Sequence, residues 1–65
     1  MYFAKTEKFK IINQKKIAEL AGITESTMSR IVNRRQGCSK MTAIAITKMI
    51  HPLAEIEEYF DKKGE

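Results

Sequence analysis

Along residues 14–33, QKKIAELAGITESTMSRIVN, apolar side chains recur every three or four positions and are interrupted by a single glycine. Ile17, Ala18, Leu20 and Ala21 make the inner face of one helix, and Met28, Ile31 and Val32 make that of a second. Ala18 is small where the two helices must cross closely. Between them Gly22 can take a left-handed backbone without steric cost. Ile23 fills the turn. Thr24 is placed to cap the second helix, whose first turn opens with Glu25, an acid favoured by the helix dipole. The opposite face, Glu25, Ser26, Ser29, Arg30, Asn33 and Arg34, is polar and free to meet a partner.

The rest of the pattern predicts three more helices and no linker, repeat or low-complexity tract. Residues 6–12 read as a short helix capped by Thr6, with Phe9 and Ile12 inward; a strand-like segment within residues 2–12 is the alternative. Asn13 caps the helix over residues 14–21, and the next helix covers 25–33. Residues 34–38 form a loop. Ser39 caps a helix over 40–50 that is apolar on most sides through Met41, Ala43, Ile44, Ala45, Ile46, Met49 and Ile50, so it is expected to be central. Pro52 ends it by pushing the preceding residue out of the helical region. Residues 54–61 make the fifth helix, presenting Ile56, Tyr59 and Phe60 with Leu53 nearby, and residues 62–65 read as a frayed tail.

The stretch from Gln14 to Asn33 resembles the helix-turn-helix of the lambda-repressor-like superfamily, the XRE or Cro-type phage and plasmid regulators. Gln14 stands where that family opens its first motif helix, Ala18 follows four residues on and Gly22 four beyond that. Ile23, Met28 and Ile31 occupy the apolar turn and second-helix positions. The resemblance implies an all-α, compact five-helix domain spanning residues 1–65, in which the second and third helices form the motif. It also implies a sequence-specific double-stranded DNA-binding regulator of transcription.

Charge narrows the picture further. Residues 1–53 carry ten Lys/Arg against three Glu, a balance of +7, whereas residues 54–65 balance at −3. The basic surface therefore lies upstream of the fifth helix. Lys15, Lys16 and Lys40 sit in first turns of helices, where the macrodipole disfavours cations by about 0.3–1 kcal/mol, and an external phosphate would compensate. One cysteine, Cys38, excludes an intramolecular disulfide, and with one histidine, His51, there is no zinc set. Cys38 precedes a helix, a place where a thiol pKa can be lowered, although a single loop thiol reads as incidental. His51 reads as a helix-end residue favoured by the dipole. No apolar run approaches a membrane span and the first residues lack a signal-peptide core, so a cytoplasmic protein is expected. No catalytic constellation or cofactor motif is present in the sequence, so an enzyme is not expected.

In a helix-turn-helix the second helix enters the major groove and its N-terminal residues reach base edges. By resemblance, the base-facing positions are Glu25, Ser26 and Arg30, with Thr27 and Ser29 at the edge. Arg30 can donate two bonds to guanine O6 and N7. Glu25 departs from the glutamine common at that position in the family, and it would face phosphates unless it accepts from cytosine N4. The phosphate-contact candidates are Gln14, Lys15, Asn33, Arg34, Arg35 and Lys40. Ile56, Tyr59 and Phe60 are candidates for a homodimer contact or, equally, for packing back on the core. The expected partners are an operator duplex and a second copy of the chain. The alternative is an anti-repressor, modulator or antitoxin of the same fold that acts through a partner repressor or toxin, with the acidic fifth helix as the contact.

Overall fold

The computed structural model describes residues 1–63. Strand β1 (Tyr2–Ala4) leads into a 3-10 turn (Thr6–Phe9), followed by helices α1 (Gln14–Ala21), α2 (Glu25–Val32), α3 (Lys40–Ile50) and α4 (Ile56–Tyr59), and then strand β2 (Phe60–Lys62). The expectation of an all-α, five-helix domain is therefore corrected. The described residues form four α-helices and a two-stranded antiparallel sheet, a mixed α/β architecture.

Local chemistry explains the three long helices. Asn13 Oδ1 accepts from the Lys16 N–H, Thr24 Oγ1 from the Thr27 N–H and Ser39 Oγ from the Thr42 N–H, each satisfying a donor that a helix start leaves free. Gly22 lies in the left-handed region at φ 75°, and the N–H groups of Gly22 and Ile23 close on the last carbonyls of α1. The core collects Phe9, Ile17, Ala18, Met28, Ile31, Val32, Ala43, Ile46 and Phe60. Phe9 meets the rings of Tyr59 and Phe60 edge-on, at centroid distances of 5.9 and 5.6 Å. Two residues expected inside are outside, since Leu20 is 56% and Met41 82% exposed. Leu20 stands at the margin of the buried face of α1, and Met41 lies on the side of α3 opposite the buried Ala43, Ile46 and Thr47. Thr47, a residue that the apolar pattern passes over, is buried in their stead.

The ends of the chain depart furthest from the sequence reading. The strand-like alternative within residues 2–12 is realised as β1, and in place of a helix over 6–12 capped by Thr6 there follows a 3-10 turn whose N-cap, Lys5, makes no side-chain capping bond. The Thr6 hydroxyl donates to the Val32 carbonyl at 2.7 Å, joining this turn to the end of α2. The fifth helix shrinks to the single turn of α4, and Phe60 turns extended into β2, which pairs Tyr2 with Lys62, Phe3 with Asp61 and Ala4 with Phe60. Lys62 and Lys63, expected to fray, belong to this pairing: the Lys63 N–H donates to the Met1 carbonyl at 2.8 Å. The remainder of the expected tail, residues 64–65, lies outside the described residues. On its other side β1 bridges the loop after α2, with Tyr2 and Cys38 exchanging two backbone hydrogen bonds. A Cβ on Gly37 would push against the exposed Met1 side chain and lie 3.1 Å from Phe3 Cε1.

Candidate nucleic-acid interface

Helix α2 buries Met28, Ile31 and Val32, and that choice of inner face turns its polar residues outward. Glu25, Ser26, Ser29, Arg30 and Asn33 are exposed. With 3.6 residues per turn they occupy one continuous face. Glu25, Ser26 and Arg30 make no side-chain hydrogen bond or ion pair among the described residues, so their polar groups point to solvent unspent. Thr27 and Ser29 differ. The Thr24 hydroxyl donates to Thr27 Oγ1 at 2.9 Å inside the cap, and Asn33 Nδ2 lies 3.4 Å from Ser29 Oγ. Both edge hydroxyls are thus drawn into the ends of their own helix.

The phosphate-contact candidates divide in the same way. Lys15, Arg35 and Lys40 are exposed and make no ion pair or side-chain hydrogen bond among the described residues, and Gln14 is half-buried in the first turn of α1. Neither α1 nor α3 has an acid in its own first turn to offset the lysines placed there. Asn33 instead folds its amide back onto the Ser29 carbonyl at 2.9 Å. Arg34 is turned toward the sheet: its Nη1 lies 3.0 Å from the Ala4 carbonyl and 3.1 Å from Asp61 Oδ2, and the guanidinium sits 6.0 Å from the centre of the Phe3 ring. One shallow cleft between α1 and α2 is lined by Lys15, Ala18, Glu19, Ile23 and Glu25, which puts the awkward acid Glu25 beside a cation of the candidate surface.

Of the dimer candidates, Phe60 is 2% exposed and belongs to the core, while Ile56 and Tyr59 pack against it half-buried. Phe60 is thereby taken up by the fold, while Ile56 and Tyr59 keep part of their surface outward. The large apolar side chains left exposed are Met1, Ile11, Leu20, Met41 and Leu53. The acidic segment also has local work, because Glu55 and Glu58 form a reciprocal capping box at the start of α4.

Cys38 is buried, and burial pushes its thiol pKa up, opposed in part by the nearby N-terminal ammonium. The thiol therefore lacks the lowered pKa that a place before a helix can give, because desolvation outweighs the attraction of the N-terminal ammonium. His51 Nδ1 accepts from the Leu53 N–H at 3.3 Å, shaping the turn around Pro52. Among the described residues there is no group of three or more potential metal ligands, and no helix is long and apolar enough to cross a membrane.

Sequence reasoning missed Asp61, which receives Arg34 and lies 3.9 Å from Lys5 Nζ. Its role depends on strand pairing between the two ends of the chain, for which no local signal exists. No family model matches this chain, and neither does any curated protein or solved structure.

Proposed function

We propose that this protein is a sequence-specific regulator of transcription that binds duplex DNA with α2 in the major groove. The observation that carries the reading is the bare polar face of α2, on which Ser26 and Arg30 stand exposed one helical turn apart with no protein partner among the described residues. Arg30 reads a guanine through its two donors, and Ser26 reaches a base edge or a phosphate. Lys15 and Lys40, at the starts of α1 and α3, and Arg35, after α2, hold the phosphates on either side. The resemblance of residues 14–33 to the Cro-type regulators supports a repressor of phage or mobile-element type. Two copies on a palindromic operator would place their recognition helices about 34 Å apart.

The rival reading, a modulator gripping a partner protein through the acidic segment, has less to stand on. Phe60 is buried, Tyr59 packs on Phe9, and two of the acids cap α4.

The test is fluorescence anisotropy against a duplex selected from a random library and a scrambled duplex of the same composition, at two salt concentrations. The expected result is a preference on the order of 10³-fold or more for the selected duplex, with affinity falling steeply as salt rises. Equal and weak binding to both would overturn the reading.

A further inference from the structure

Arg34 has an unusual backbone for its type. It is the single non-glycine residue at positive φ among the described residues, at φ 60°, in the left-handed position just past the end of α2. Glycine or asparagine is the usual occupant of such a position, since a larger side chain there is strained. Strain of this kind persists where surrounding contacts over-determine it. Those contacts are present. The guanidinium bridges the Ala4 carbonyl and Asp61 Oδ2, one acceptor from each strand, and it lies beside the Phe3 ring. Four residues on, the same loop is held again by the two hydrogen bonds between Cys38 and Tyr2, at 2.8 and 2.9 Å. The loop is thus fastened to β1 at both ends. Arg35, between the two fastenings, is left exposed, with its N–H on the Arg30 carbonyl at 2.9 Å.

We infer that Asp61 is a positioning residue for the DNA-reading surface, holding Arg34 against the sheet so that the end of α2 and the Arg35 loop keep one orientation. This rests on the reading of α2 as the DNA-facing helix. In this role Arg34 does not act as a phosphate ligand, although its place in the sequence suggests one, and the anion that it needs is supplied from within the chain. The sheet thereby acquires a task. It ties the two ends of the chain to the segment that ends the recognition helix, alongside the Thr6 hydroxyl bond to Val32.

The inference makes a prediction opposite in sign to simple electrostatics. Removing an acid from a DNA-binding protein ordinarily tightens binding, because phosphate repulsion falls and a released arginine gains a phosphate. If Asp61 positions the loop, Asp61→Asn instead weakens binding to the selected duplex by roughly threefold, the scale of a partly exposed ion pair. Arg34→Gln has a similar effect, and the double variant is no weaker than the weaker single one. Binding to the scrambled duplex does not fall in Asp61→Asn, which separates lost positioning from lost folding. Tighter binding to both duplexes, with a salt slope steeper by about 0.9, would show that Arg34 is a restrained phosphate ligand and overturn the inference. Unchanged affinity would overturn it as well. Amide hydrogen exchange on the free protein gives an arm independent of DNA: the Arg35 and Cys38 N–H groups should exchange faster in Asp61→Asn, with the core amides unaffected. If the unmodified protein fails to discriminate between duplexes, the DNA reading fails. Exchange then decides the clamp alone, which falls if those two amides are unchanged.

Discussion

The turn between α1 and α2 offers a clean test, because at Gly22 backbone conformation and side-chain space can be separated. Its φ is 75°, and a Cβ added there would meet no atom within 4 Å. Gly22→Ala therefore introduces no clash, and its cost is that of placing an L-residue in the left-handed region, about 1–2 kcal/mol. Part of this is offset, since alanine lowers the entropy of the unfolded chain and so favours folding by about 0.4–1 kcal/mol wherever it is tolerated. A net loss of about 1 kcal/mol follows, a shift in Tm of about 4–8 °C for a domain of this size. Gly22→Asn should lose less, because asparagine visits this region more readily. Urea denaturation of the three proteins, followed by circular dichroism with a common slope, reads these differences directly. Equal stability of the alanine variant and the parent would refute the reasoning, as would an asparagine variant worse than alanine. A loss above about 3 kcal/mol would also count against it, by showing steric conflict where the structure has open space.

Four further outcomes are expected. Arg30→Ala should lose about 1–3 kcal/mol of discrimination at one base pair of the selected duplex, read by anisotropy on single-substitution duplexes; uniform weakening on every duplex would make Arg30 a phosphate contact. Neutralising Lys15, Arg35 or Lys40 to glutamine should each make the slope of log K against log salt shallower by about 0.9, and an unchanged slope removes that residue from the interface. Thr47 Oγ1 is buried without a hydrogen-bond partner among the described residues, so Thr47→Val should raise stability by roughly 1 kcal/mol in denaturant titration; destabilisation would mean that the hydroxyl is bonded after all. The Cys38 thiol, its pKa raised by burial, should resist alkylation in the folded protein and react once unfolded. Since the folded state holds that proton more tightly, its contribution to stability is intact below the ordinary thiol range and is lost as pH rises through it and above. Stability that climbs across that window would contradict the assignment.

The candidate surface was legible in part. Ser26 and Arg30 follow from the apolar spacing of α2, which fixes the opposite face without reference to any other element. Arg34 was not legible. From the sequence it is one of two adjacent loop arginines, and only the position of Asp61, 27 residues later, distinguishes it from Arg35. The dimer candidates were ambiguous for a related reason. Ile56, Tyr59 and Phe60 have the three- and four-residue spacing of a helix face, yet that spacing cannot say whether an aromatic meets a second copy or meets Phe9.

The elements readable without the fold are those whose causes lie within about four residues. Asn13, Thr24 and Ser39 cap helices through backbone N–H groups three positions away, Gly22 ends α1 through its own backbone freedom, and periodic apolar residues choose the buried faces. The sheet, by contrast, depends on long-range pairing. Met1 to Lys5 and Tyr59 to Lys63 hold too few residues for a strand period to outweigh a helical one, and either segment alone would leave its ladder groups unpaired. Brought together across nearly the whole chain, they satisfy one another in register, from Tyr2 opposite Lys62 to Ala4 opposite Phe60. That closure ended the fifth helix after one turn, buried Phe60 and set Asp61 against Arg34, because extended backbone finds its hydrogen-bond partners only in another segment.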